Sequence, residues 1–323
     1  MKIGILTFHA AQNYGAVLQC RCLYEVLRGL GHEVHVLDYR PAFLTEPYKL
    51  WKNAYLKHPL TLLKVAWKLT GALRRRRGFA DFEKTFSPVP CRTEGFDAIV
   101  FGSDQIWNTL IDKGFDPVFF ASDPQFAATR NIAYAASDGS VTLSEKDQKT
   151  FADKMQRFQA IGVREETLQR MLADRGIRAE INLDPVLLAG REVVDRIAAD
   201  VPRRKPFVLT YEAVDHPEVL LKAHAIAREA GLQVISIART PYRPGRVRYS
   251  PAEFAALVRD ARHVVTTSFH GVALSLLYHT PFTFVPTGTR LDERINHILA
   301  LEANGSLETI RIQSLEYLKN NLK

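Results

Sequence analysis

Cysteine is scarce in this sequence, with three in 323 residues. Cys20 and Cys22 stand two apart on a stretch with helical spacing, where they point in different directions, and Cys91 is distant. Without a C-x-x-C or an even set, neither a disulfide framework nor a zinc site is indicated, and no metal is expected. Long apolar runs are missing too, so nothing approaches the ~20 consecutive apolar residues of a membrane span. Met1 to Phe8 is too short and too soon followed by His9, Gln12 and Asn13 to act as a signal peptide, so the chain is expected in the cytoplasm. There is no G-x-G-x-x-G after a strand and no G-x-x-x-x-G-K-[ST], which weighs against NAD dehydrogenases and P-loop NTPases. H-E-x-x-H, G-x-S-x-G and repeats of 20–50 residues are likewise not seen.

Acidic residues are absent from one segment. Between Pro47 and Ala80 there are nine Lys or Arg and no Asp or Glu. The net charge is +8, from 43 basic and 35 acidic residues, and removing this segment leaves 34 against 35. The basic excess is therefore one patch rather than a general nucleic-acid-binding character, and no nucleic-acid partner is expected. Trp51, Tyr55, Trp67 and several leucines lie among these cations, a mixture that suits either an anionic membrane surface, through residues 48–79, or a solvated helical insertion.

What is present is an ordinary globular composition, 46% hydrophobic and 24% charged, in a length that suits two domains. Lys2–Phe8 reads as a buried strand, Gly15–Leu30 as a helix with apolar residues at i+4, and Glu33–Tyr39 as the next strand, a βαβ unit with parallel strands. The rhythm resumes with strands at Ala98–Phe101, Ile132–Ala136, Ala160–Val163 and Ala179–Leu183, and helices at Ser144–Phe158 and Glu166–Arg175. The polar stretch Arg191–Pro206 marks a boundary. Beyond it come strands at Phe207–Tyr211, Gln233–Ala238, His263–Thr267 and Phe282–Val285, with helices at Glu218–Ala230, Pro251–Ala261 and Gly271–His279, then a mostly helical tail from Leu291. The expected fold is α/β, with two Rossmann-like doubly wound domains facing a central cleft. Residues 1–200 would form the first, with a basic helical insertion at 41–90, and residues 201–323 the second.

In open α/β sheets ligands bind at the carboxyl ends of strands, and polar clusters stand at five such ends. Asn13-Tyr14-Gly15 opens the first helix, where Asn13 is either a cap or a ligand contact. Gly102-Ser103-Asp104-Gln105-Ile106-Trp107-Asn108 carries more hydrogen-bonding side chains than a turn requires, and Trp107 offers a face on which a sugar can stack. Ser137-Asp138-Gly139 reads equally as a turn. Arg164, beside Glu165 and Glu166, can fork onto a carboxylate or phosphate or simply pair with its neighbours. Thr266-Thr267-Ser268-Phe269-His270-Gly271 sets hydroxyls, an imidazole and a glycine at a helix N-terminus, an anion-binding arrangement.

Together these stretches resemble the polysaccharide pyruvyl transferase family. The matching segments are KIGILTFHAAQNYGAVLQ, LGHEVHVLDYRP, FDAIVFGSDQIWN, YAASDG, IGVREE, LDPVLL and VVTTSFHGVALSLLYHTPF, from residue 2 to residue 282, and GSDQIWN and TSFHG are the most specific. The resemblance implies a B-type glycosyltransferase-like architecture. It also implies transfer of a pyruvyl group from phosphoenolpyruvate to two hydroxyls of a sugar in a polysaccharide or lipid-linked glycan, in cell-surface polysaccharide biosynthesis. No cofactor is implied beyond phosphoenolpyruvate as co-substrate. Arg164 and His270 match the family's donor-binding arginine and its histidine, with Ser268 and Gly271 beside them on the donor side. Some family members read Arg-Leu-His where this chain reads Ser268-Phe269-His270, which removes a second donor arginine and leaves Arg239, Arg290 or Arg294 to replace it.

The chemistry asks for such residues. An enol phosphate becomes electrophilic at C2 when its methylene is protonated, which suits the acidity of histidine, and the phosphate and carboxylate need a cationic clamp. His270, Arg164 and Asp104 are the catalytic candidates, with the sugar's base either Asp104 or His270. Asn13, Tyr14, Gly15, Ser103, Asp104, Gln105, Trp107, Asn108 and Ser137 are the acceptor-side candidates. A nucleotide-sugar glycosyltransferase and a non-catalytic glycan-binding protein on the same scaffold are the competing readings. A lipid-linked acceptor would place the chain on the inner face of the plasma membrane.

Overall fold

The computed structural model describes residues 1–48, 61–201, 205–238 and 249–323. Its first half is a seven-stranded parallel sheet in the order β3-β2-β1-β4-β5-β6-β7. Its strands are β1 (Lys2–Leu6), β2 (Glu33–Asp38), β3 (Val89–Pro90), β4 (Ala98–Asp104), β5 (Arg130–Ala136), β6 (Ala160–Val163) and β7 (Glu180–Ile181). β4 is buried along its whole length, as expected of a central parallel strand covered on both faces. Ile3 stands in register with Val34 on one side and Ala98 on the other.

The second half is a four-stranded parallel sheet in the order β11-β10-β8-β9, from β8 (Phe207–Glu212), β9 (Gln233–Ala238), β10 (His263–Thr266) and β11 (Phe282–Phe284). The sheet order of each half reverses direction at its first strand, which is the doubly wound pattern with a crevice at the reversal. Two such Rossmann-like halves face each other, the layout expected from the sequence.

Helices cover both sheets: α1 (Tyr14–Gly29), α2 (Ala42–Thr45), α3 (Thr61–Glu83), α4 (Glu145–Met155), α5 (Glu166–Ala173), α6 (Pro185–Ile197), α7 (Pro217–Ala230), α8 (Pro251–Asp260), α9 (Phe269–Tyr278), α10 (Leu291–Ala303) and α11 (Leu307–Asn321). Ser250 and Glu253 form a reciprocal capping box at the start of α8. α6 begins inside LDPVLL, with Asp184 as its cap accepting from the Val186 amide at 2.9 Å and Pro185 at its first position. After a break at Gly190, where φ is +77°, it continues into the stretch read as a polar boundary. Its buried Val186, Leu188 and Val194 join one apolar core with Tyr14 and Leu23 of the first half and Tyr211, Phe254 and Leu274 of the second.

The tail returns to the first sheet. Tyr317 Oη on α11 donates to the Ala133 carbonyl of β5 at 2.8 Å, and the Leu183 amide donates to Ser314 Oγ at 2.9 Å.

The basic segment is only partly described, since residues 49–60, with Trp51 and Tyr55, lie outside the described residues. In the remainder, the four arginines do not form one solvated face. Arg76 and Arg77 are exposed. Arg75 is 1% exposed, stacks on Tyr14 and Phe79 with its guanidinium carbon 4.8 and 5.1 Å from the ring centres, and donates to the Gln12 carbonyl at 2.5 Å.

Candidate active site

A cleft of about 730 Å³ runs between the halves. The first half contributes Phe8, Asn13, Phe43, Asp104, Gln105 and Asp112 to its walls, and the second contributes Tyr211, Ser268, Phe269, His270 and Arg294.

The centre of the site is His270, on the first turn of α9. Its Nε2 stands 3.3 Å from Asp184 Oδ2, and the same oxygen lies 2.9 Å from Arg164 Nη2. One buried carboxylate thus joins the two residues that the sequence placed in separate halves. Burial opposes ionisation of Asp184, but Arg164 and then His270 outweigh it and hold the carboxyl down at about 2. Arg164 Nη2 also donates to Ser103 Oγ. Its Nε and Nη1 are buried without a hydrogen-bond partner among the described residues.

Gly15 forms the seat of the histidine. A methyl group on it would lie 2.0 Å from His270 Nδ1 and 2.4 Å from Cγ, so only glycine lets α1 approach the imidazole this closely. Asn13 caps α1, accepting from the Gly15 amide at 3.1 Å, and lines the cleft as well. The cap role is therefore filled, and the residue also stands on the cleft wall.

Arg294, on α10, is a buried guanidinium on the same wall as Ser268 and His270. It lines the cleft with its guanidinium 5.7 Å from the centre of the Phe269 ring, and Arg164 stands 5.1 Å from the same ring. With its amide oxygen toward Arg294, Gln105 accepts from Nη1 and Nη2 at 3.0 and 2.8 Å. Glu165 Oε1 lies 3.7 Å from Arg294 Nε and accepts from Ser137 Oγ at 2.5 Å. Burial pushes the Glu165 carboxyl up, against the pull of Arg294 and Arg164. Burial and then Glu165 push Asp138 up to about 7. Burial lowers Arg294 itself, against the pull of Glu165.

Asn13, Asp104, Gln105, Ser268 and His270 therefore stand on the cleft, and several other expectations are corrected. Trp107 offers no sugar-stacking face. It is fully buried, its Nε1 donates to the Phe119 carbonyl at 3.0 Å, and its ring packs among Phe120, Phe151 and Phe158. Tyr14 is core, held between Phe79 and Phe254, and donates from Oη to the Tyr249 carbonyl at 2.8 Å. Asn108 Oδ1 caps the Leu110 and Ile111 amides, at 3.0 and 3.3 Å. Ser103 Oγ, fully buried, donates to the Ala135 carbonyl, and Ser137 is spent on Glu165. Gly271 packs against Thr266, where a methyl group would meet Oγ1 at 2.4 Å, and its amide is capped by Ser268 Oγ at 3.4 Å, so it offers no free anion contact. Arg164 stands one layer behind the cleft wall, neutralised by Asp184, rather than on it. Of the three arginines offered as a second cation, Arg294 is in the cleft, Arg290 lines a separate depression, and Arg239 lies outside the described residues.

Asp184 was not singled out in the sequence. The signal that would have found it is an acidic residue directly before a helix-opening proline, following a short strand that ends at the same sheet edge as Arg164.

Among the described residues one group has metal-ligand spacing, His9, Asp38 and Glu83. It lies outside this cleft, and Arg40 already pairs with both of its carboxylates.

Two doubly wound sheets, with a histidine and a guanidinium on one wall of their cleft and polar oxygen-bearing groups on the other, define a two-domain α/β protein with an enzyme-like cleft. The chain belongs to the polysaccharide pyruvyl transferase family, whose model matches residues 13–289. Among curated proteins no relative matches the sequence. Among solved structures it is similar to the UDP-N-acetylglucosamine 2-epimerase of Rickettsia bellii, at 11% identity and TM-score 0.46 over 98% of this chain and 97% of that one. It is similar also to the Neisseria meningitidis UDP-GlcNAc 2-epimerase bound to UDP-GlcNAc, at 10% identity and TM-score 0.43 over 100% and 99%.

Proposed function

We propose that the protein moves the pyruvyl group of phosphoenolpyruvate onto two hydroxyls of a sugar in a polysaccharide or lipid-linked glycan, leaving a cyclic ketal and phosphate. The observation that carries this reading is the pairing of Ser268, His270 and Arg294 on one cleft wall with Asn13, Asp104 and Gln105 on the other. The donor has about three negative charges near neutral pH, and Arg294 meets them from the second half. The second half, with His270 and Arg294, then forms the donor side, the first half the acceptor side, and phosphoenolpyruvate is the only small molecule besides the acceptor.

His270 is the acid that protonates the donor methylene. Asp184 faces its Nε2 at 3.3 Å and Gly15 seats the ring on its other side, so the imidazole is held in one orientation at the cleft wall. Arg164 acts on the donor through Asp184: it keeps that carboxyl ionised and oriented.

A lipid-linked acceptor brings the reaction to the inner face of the plasma membrane. Among the described residues no helix is long and apolar enough to cross a membrane. The basic run at 48–79, with Arg76 and Arg77 exposed, is the surface we assign to contact with anionic lipid. This contact weakens as salt rises.

The test is phosphate release from phosphoenolpyruvate against a panel of sugar acceptors, by wild type and by His270→Ala. Loss of about 10²–10⁴ in turnover is expected for the variant. Near-normal turnover in folded His270→Ala protein refutes the mechanism. A melting shift with nucleoside diphosphates but none with phosphoenolpyruvate refutes the donor.

A further inference from the structure

Asp112 belongs to the loop after β4, and the proposal above leaves it unused. The loop is well pinned. Asn108 Oδ1 caps two of its amides, and the Asp112 amide donates to the Asn108 carbonyl at 3.1 Å. Asp116 Oδ1 accepts from the Val118 and Phe119 amides, each at 3.0 Å, and its Oδ2 accepts from Tyr39 Oη at 2.9 Å. Asp116 is thus fully used. Asp112 is the reverse case: both its carboxyl oxygens are shielded from solvent and have no hydrogen-bond partner among the described residues, yet the residue lines the cleft. A buried carboxyl without donors is costly and calls for a partner. Phe8, Phe43, Leu44 and Ile111 line the same cleft. An apolar wall with one unsatisfied acceptor matches a sugar ring, which offers a C–H face and hydroxyl donors.

We propose that Asp112 accepts the hydrogen bond of the attacking hydroxyl of the acceptor sugar and takes its proton, a role that rests on the pyruvyl-transfer reading. The step balances. His270 gives a proton to the donor methylene carbon as the sugar oxygen bonds to C2, and the hydroxyl proton passes to Asp112. In the second step the C2–O bond to phosphate breaks and the electron pair leaves with phosphate, which takes the proton held by Asp112. The second hydroxyl then bonds to C2 and its proton returns to His270. Both groups are restored, and one hydroxyl proton has ended on the new methyl group and the other on phosphate.

The surroundings tune this base. Burial and then the Asp116 charge push the Asp112 carboxyl up to about 8. Tyr39 stands beside it from the end of β2, and Lys113 is its exposed neighbour. Glu46, Asp104, His270 and Arg294 share the cleft. The base form therefore grows as pH rises toward about 8, and turnover should grow with it.

Asp112→Asn keeps the shape and removes the base. The variant should melt at or above the wild-type temperature and keep the melting shift caused by phosphoenolpyruvate. With the best acceptor of the panel it should lose about 10²–10⁴ in turnover, and the rising limb near pH 8 should vanish. A merely structural role would leave the pH profile in place. Asparagine turnover within threefold of wild type, with an unchanged profile, overturns the assignment and leaves the donor reading standing. Wild type that releases no phosphate with any acceptor overturns both.

Discussion

Replacing Gly15 with alanine isolates the seat of His270. Gly15 is the second residue of α1, in a position where alanine is the better helix former by up to about 1 kcal/mol. The backbone therefore accepts the change, and the whole perturbation is the contact with the imidazole. The methyl would lie 2.0, 2.4 and 2.5 Å from Nδ1, Cγ and Cε1. Carbon and nitrogen do not approach within about 3.4 Å without strain, so the ring must move by roughly an ångström or more. It is held on its far side by Asp184, 3.3 Å from Nε2, and such a shift breaks that contact. Overpacking costs about 1–3 kcal/mol, partly offset by the helix preference. An ångström of misplacement at a reacting group costs about 10²-fold in rate. Phosphate release should therefore fall by about 10²-fold while the protein still melts cooperatively. In a His270→Ala background the methyl has room, so the same substitution should cost nothing further, a non-additivity that a double-mutant cycle reads directly. Gly15→Ala turnover within threefold of wild type would refute this account of the seat.

Asp184→Asn should destabilise by about 3–5 kcal/mol in chemical denaturation, because it leaves Arg164 buried without its counter-charge. In the wild type, the folded carboxyl near 2 against an unfolded value near 4 contributes about 2 kcal/mol above pH 4, lost as pH falls toward 2; acid-unfolding curves of Asp184→Asn should lack that step. Arg294→Ala should raise the KM for phosphoenolpyruvate at least tenfold and leave the acceptor KM near wild type, and equal KM values would show that the cation is elsewhere. Trp107→Ala should lower stability by about 3–5 kcal/mol, measured by denaturant titration, since the ring is core. Changing Arg74, Arg76 and Arg77 to serine, with Arg75 kept for the core, should reduce sedimentation with anionic vesicles, and unchanged sedimentation would count against the membrane contact.

The alternation of strands and helices was legible because parallel strands are continuous apolar runs and the helices show i+4 spacing, as in Leu18, Cys22 and Val26. α6 was missed because Arg191, Glu192 and Asp195 look like a linker, whereas Pro185–Ala189 is buried on all sides and, past the break at Gly190, Val194 returns to the core. In the site, His270 and Arg164 stood out as polar side chains at strand ends. Ser103, Asn108 and Ser137 stood out for the same reason, yet they build the loops. A hydroxyl or amide at a strand end serves a ligand and a backbone turn with the same chemistry, so sequence does not separate the two uses. Trp107 misled similarly, since an indole can satisfy its N–H in the core as well as at a surface. Arg294 sits on a helix beyond the last strand, where no strand-end rule points to it.

The return of α11 to β5 means that the chain passes between the halves twice, once through α6 and once between α10 and α11. Two crossings define an axis, as two pins define a door. The halves cannot drift apart or slide freely, and the motion left to them is rotation about the line joining the crossings. Rotation about that line would widen the mouth of the cleft, while the layer behind it, where Arg164 and Asp184 meet, would travel little. Cutting the chain after Ala303 would remove one pin, converting a door into a pendulum, and the loss should fall first on the alignment of His270 with the opposite wall.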